Sequence, residues 1–176
     1  MSREYAFTSH WLVPVSVEEC WRLCERSLTT GVVAWWPAVR VEPQPHPLTP
    51  GDVVRLQVRS PWGYRLRVAL TITAATPPRL LAAASTGDLA GRGSLRLTPE
   101  GGAAGARTRL TWVWEVALVR RWMRVASPVL RPAFAAAHAI VMRRGERGLL
   151  AEIGRGSDVR NAGNPGDRES PGTPRG

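Results

Sequence analysis

His138 lies four residues after Phe134 and four before Met142, so on a helix the three side chains share one face. A neutral imidazole set in an apolar wall can orient a ligand carbonyl or shuttle a proton as general acid and base. The same spacing also describes a core histidine hydrogen-bonded to a strand residue, and that plainer reading is favoured. The eight tryptophans are the second feature. Trp112 and Trp114 alternate with Leu110 and Val116 on one strand face, where indoles either offer flat walls to a polycyclic or isoprenoid ligand or fill the core. Trp35 and Trp36 precede Pro37 in a loop that would lie at a cavity mouth, one indole packed and the other partly exposed. Trp62 stands near Tyr64 at a hairpin tip, as a rim contact or an interfacial anchor.

Other chemistries are excluded by residue type. All 24 basic residues are Arg, which removes Schiff-base lysine chemistry, pyridoxal phosphate enzymes and Walker-type phosphate loops. Cys20 and Cys24 are too few and too close for a disulfide framework, and no paired histidine spacing accompanies them, so buried small apolar residues explain them better than a metal site. Asp88 is expected to cap its own turn and Glu115 to pair with an outer-face Arg, leaving no carboxylate pair of the glycosidase kind. With no Gly-x-Ser-x-Gly, dinucleotide fingerprint or calcium loop, no cofactor and no metal are implied.

The net charge of +10 invites a nucleic-acid reading, but the arginines are scattered as single strand positions. Arg55, Arg59, Arg65, Arg67, Arg96, Arg107 and Arg109 alternate with apolar residues and belong on a solvated outer face. No nucleic-acid partner is expected. The clusters are Arg120, Arg121 and Arg124, then Arg143, Arg144 and Arg147. In the first, Arg121, Trp122 and Arg124 suit peripheral contact with an anionic membrane, or a junction that covers the end of the sheet. No apolar run approaches the roughly 18 residues needed to span a bilayer, and no signal-peptide core is evident, so a cytoplasmic location is expected.

Positioning these groups are a strand over 5–13, a helix from Val17 to about Leu28, and a series of alternating strands. The first helix is announced by Ser16 with Glu19 three residues on, and ends at Thr29-Thr30-Gly31. After a proline-rich loop over 43–51, alternation recurs around Val54–Val58, Tyr64–Ile72, Leu80–Thr86, Arg92–Leu97 and Thr108–Val119. That makes six or seven antiparallel strands, with a flexible loop at Gly101–Gly105. The stretch 121–153 is helical, with a separate short turn at Pro128 before the long helix begins near Pro132. Residues 154–176 lack large apolar residues and are expected to be a disordered tail behind a single 1–153 domain.

The order of these elements resembles the helix-grip fold of the START-like superfamily, specifically its polyketide cyclase/dehydrase and lipid-transport branch (SRPBCC). The matching pieces are Pro14 through Trp21, Trp35-Trp36-Pro37, Thr86 through Gly91, and Val141 through Leu149, so the resemblance covers about residues 5–153. It implies an α+β domain in which a curved antiparallel sheet wraps a long C-terminal helix around an apolar cavity. It also implies a hydrophobic small-molecule ligand, bound by Trp35, Trp36, Tyr64, Trp112, Trp114, Phe134, His138 and Met142. A cyclase or aromatase with His138 as proton shuttle, and a membrane-surface lipid carrier, are the alternatives. Where relatives often carry bulky or polar residues before the helix histidine, this chain has Ala135-Ala136-Ala137, which would widen the cavity or ease packing on the sheet.

Overall fold

The structure is a computed structural model. It describes residues 4–44, 46–102, 105–118 and 121–162, with side chains described over 6–44, 46–101, 105–117 and 132–157. The elements run β1 (Glu4–Val13), α1 (Val17–Thr30), β2 (Val39–Val41), β3 (Val53–Arg59), β4 (Arg65–Thr76), β5 (Leu80–Gly87), β6 (Leu89–Gly102), β7 (Gly105–Leu118) and α2 (Arg121–Ala162). The seven strands form one antiparallel sheet in the order β1-β7-β6-β5-β4-β3-β2, a meander whose last strand is closed by the first. This is an α+β helix-grip arrangement, a curled sheet holding a C-terminal helix.

Local chemistry accounts for the joints. Ser16 Oγ accepts the Glu19 N–H at 3.2 Å, satisfying one donor of the first turn of α1. Gly31 ends that helix in the left-handed region at φ 71°, where a Cβ would also stand 2.9 Å from the Val41 carbonyl oxygen. Thr108 Oγ1, fully buried, donates to the Val15 carbonyl at 2.8 Å and ties the β1–α1 connection to β7.

Three expectations are corrected. The supposed flexible loop at Gly101–Gly105 is largely ladder, with Gly101 paired to Ala106 and Gly102 to Gly105. The long helix is continuous from Arg121 through Pro128 and Pro132, with no separate turn. Prolines four apart each remove one i→i−4 bond, and the bond missing at Pro132 is the one that would have ended on Pro128, so both losses fall on one side while the remaining bonds continue. The helix also runs past Ile153 to Ala162, into the stretch expected to be without structure; Arg155 pairs with Glu152 at 2.6 Å, and Ser157 Oγ donates to the Ile153 carbonyl at 3.1 Å. Residues 163–176 lie outside those described.

The concave face is filled unevenly. At one end α1 and the later turns of α2 bury Trp11, Val13, Cys20, Trp21, Leu97, Leu110, Leu149 and Ile153 in one cluster. A second, smaller cluster gathers Leu48, Val54, Ile72 and Ala83 under the strands at the other edge. Space is left between them.

Candidate functional site

That space is a cavity of about 260 Å³ between the sheet and α2. Trp35, Trp36, Tyr64, Trp112, Trp114, Phe134, His138 and Met142, singled out in the sequence, all line it. Aliphatic residues complete the walls, among them Val54, Leu56 and Val58 of β3 and Leu66, Val68, Leu70 and Ile72 of β4. Strand register and alternation put small residues, Ala83 and Ser85 of β5 and Gly91 and Gly93 of β6, on the same concave face. Trp114 packs over Gly93, where an added Cβ would stand 2.8 Å from its six-membered ring. Of the three consecutive alanines before His138, only Ala137 reaches the cavity; Ala135 and Ala136 are exposed.

The Trp-Trp-Pro loop closes one wall. Trp35 and Trp36 are stacked with ring centroids 5.5 Å apart, and Trp11 and Trp112 meet Trp36 at 5.4 and 5.7 Å. Both indole donors of the loop are engaged, Trp35 Nε1 on Ser27 Oγ at 2.8 Å and Trp36 Nε1 on the Val141 carbonyl of α2 at 2.9 Å. The helix receives this loop through two glycines. A Cβ on Gly145 would stand 2.6 Å from the Trp36 ring, and one on Gly148 would stand 1.7 Å from the Trp35 carbonyl oxygen.

His138 reaches the sheet rather than solvent. Its ring stacks on Phe7 at 4.4 Å between centroids and 17° between planes, and its Nε2 lies 3.4 Å from Ser9 Oγ. The strand partner foreseen for a core histidine is therefore present, while the ring also faces the cavity. Burial holds its pKa below the usual value of 6.5. Above 6.5 the imidazole is neutral in both folded and unfolded chains and contributes nothing. As pH falls below 6.5 the unfolded chain takes the proton first, so stability falls until the lower folded pKa is reached. In urea titrations between pH 7.5 and 5, the wild type should lose stability relative to His138→Gln; parallel curves would show that burial exerts no such effect.

The cavity wall carries no charged side chain among the described residues, and none of the described arginines lines it. Its polar atoms belong to Ser27, Ser60, Tyr64, His138, the tryptophans and the Cys24 thiol. Cys20 lies beside Cys24 in α1, and the contact with that thiol, together with burial, pushes the Cys20 thiol well up, so Cys20 behaves as a neutral core group. Trp112 Nε1 is buried and has no hydrogen-bond partner among the described residues; Ser85 Oγ is in the same condition. Sequence spacing placed Trp112 on the right face but carried no sign of this unmatched donor, which depends on what surrounds it.

Elsewhere, Glu115 pairs with Arg92 on the outer face, as expected. Asp88 reaches across to a neighbouring strand. Its Oδ2 accepts the Arg67 N–H at 2.8 Å and its own N–H donates to the Arg67 carbonyl at 2.9 Å, because the Gly87–Asp88 turn lies alongside β4. Trp62 is 53% exposed at the hairpin tip. The side chains of Arg121, Trp122 and Arg124 lie outside those described. Among the described residues no group of three or more His, Cys, Asp or Glu side chains is placed to hold a metal, and no helix is long and apolar enough to cross a membrane.

No family model and no curated protein matches the chain. Solved structures do. The Zhui aromatase/cyclase from Streptomyces sp. R1128 superposes with a TM-score of 0.66 at 18% identity, covering 92% of this chain and 99% of that one. The shared fold is the helix grip. Protein Ms6760 from Mycobacterium smegmatis shares it at a TM-score of 0.57 and 15% identity, over 85% of this chain and 91% of that one. So does the di-domain ARO/CYC BexL from the BE-7585A biosynthetic pathway, at 0.55 and 14%, where 82% of this chain spans 50% of that protein. At such identities the helix grip itself is what is shared.

Proposed function

We propose that this chain binds an apolar small molecule, of lipid, isoprenoid or polyketide-like character, in the cavity between its sheet and α2. The observation that carries this reading is an apolar space of about 260 Å³, walled by tryptophans and aliphatic side chains. Interiors normally pack with few voids larger than a water molecule. A void of this size lined by apolar groups gains stability when an apolar molecule enters, through contacts its lining otherwise lacks.

A second reading, an enzyme of the cyclase or aromatase kind, draws on two observations. His138 faces the cavity as a neutral base held below its usual pKa, and two fold neighbours carry that activity in their names. In that reading the cavity walls fold a polyketide-like chain so that its reacting carbons meet, and His138 moves the proton in aldol condensation and dehydration.

Native mass spectrometry of protein purified from a lipid-rich host tests both. One apolar molecule per chain, lost from Trp114→Ala, is expected. An empty protein that also shows no thermal shift across a panel of apolar ligands would sink the binding reading. Conversion of an added linear polyketide mimic to a cyclic product, abolished in His138→Ala while binding persists, would decide for the enzyme.

A further inference from the structure

Resting on the ligand-binding reading above, we propose that Trp112 Nε1 is the polar anchor of the cavity, so that the ligand is a neutral bicyclic molecule with a hydrogen-bond acceptor, such as a ketone or quinone. Of the other ring nitrogens of the described wall, Trp35 Nε1 is engaged with Ser27, Trp36 Nε1 with Val141 and His138 Nε2 with Ser9, while Trp114 Nε1 is not among the donors buried without a partner. Trp112 Nε1 is buried and unmatched. A buried donor without a partner is costly, and an acceptor carried in by the ligand removes that cost.

Position supports the assignment. Ser9 of β1 lies directly opposite Trp112 of β7, and the Ser9 hydroxyl reaches His138, so the unmatched donor, the hydroxyl and the imidazole belong to one region of an otherwise apolar wall. Charge limits the ligand further. With no cationic side chain in the described wall, a carboxylate or phosphate would be buried without a counterion, which strongly disfavours fatty acids and lipid phosphates. Size supplies the last limit. A cavity of about 150 Å³ accommodates benzene, so in proportion 260 Å³ accommodates about ten heavy atoms, two fused six-membered rings.

The test compares 1-tetralone with tetralin, which share the bicyclic frame and differ in the carbonyl, by isothermal titration calorimetry on wild type and Trp112→Phe. The ratio of the ketone's Kd to the hydrocarbon's should rise about tenfold in the variant, because effects of altered ring volume act on both probes and cancel. An unchanged ratio overturns the assignment and points to a trapped water as the partner of the indole. Tetralin-1-carboxylate at pH 8 should not bind; binding as tight as that of the ketone overturns the requirement for neutrality. Should Trp112→Phe fail to fold, the wild-type Trp112 indole proton resonance gives the answer by NMR, moving downfield with 1-tetralone and not with tetralin. No such difference overturns the anchor. If neither neutral probe binds wild type, the ligand-binding reading falls together with the anchor, a result distinct from binding of both probes without discrimination.

Discussion

Gly148→Ala should destabilise the protein by about 3 kcal/mol, whereas Gly154→Ala and Gly156→Ala in the same helix should stabilise it by about 0.5–1 kcal/mol each. Replacing glycine by alanine inside a helix ordinarily helps, because glycine loses more backbone freedom on folding. At Gly154 and Gly156 nothing lies within 4 Å of an added Cβ, and that rule should hold. At Gly148 the added carbon would stand 1.7 Å from the Trp35 carbonyl oxygen, a backbone atom with no rotamer by which to move aside. Either α2 lifts from the sheet or the Trp-Trp-Pro loop is displaced. Lifting the helix would draw Leu149, fully buried one residue on, out of the main core. Displacing the loop would strain the Trp36–Val141 and Trp35–Ser27 hydrogen bonds. For a domain of this size a loss of about 3 kcal/mol lowers Tm by about 10 °C. Thermal unfolding of the three variants side by side checks the reversal of sign, and a Gly148→Ala protein as stable as wild type would mean that the helix is not seated on this loop.

The same contact shows what a one-dimensional reading reaches and where it stops. Period-two alternation placed the strands, and a capping box with a terminal glycine placed α1, because these signals are local and repeat within a few residues. The cavity wall was legible for the same reason: Trp112 and Trp114 share a strand face, Phe134, His138 and Met142 share a helix face, and both faces point inward. Gly145 and Gly148 were visible within a motif, but their purpose was not, since the Trp35 carbonyl and Trp36 ring that meet them come from more than a hundred residues away. The patch of Ala83, Ser85, Gly91 and Gly93 on the concave face depends on the register between β5 and β6, which single-strand patterns do not encode. The bond from Asp88 to a backbone amide on β4 was hidden on the same account. The continuous α2 was missed because proline and glycine content were weighed as breakers, while the helix is held by its long apolar stripe from Ala137 to Ile153.

Ala137→Phe should lower the affinity for any cavity ligand by at least thirtyfold while leaving the protein folded and no less stable. Ala137 is 7% exposed and lines the cavity from α2, next to His138 and one turn before Val141. Space for one benzene ring amounts to about 150 Å³, more than half of the 260 Å³ available, so an added phenyl group and a bicyclic ligand cannot be accommodated together. Enlarging a side chain in a filled core strains it, but here the ring enters a void and gains the contacts that the lining lacks. Stability and affinity should therefore separate: Tm unchanged or raised, binding lost. That combination distinguishes occupation of the cavity from general damage, because a misfolded variant would lose both. An Ala137→Phe protein that binds as wild type does would place the ligand elsewhere on the molecule, and one that unfolds would show that the void closes around its own side chains in solution, leaving no room for a guest.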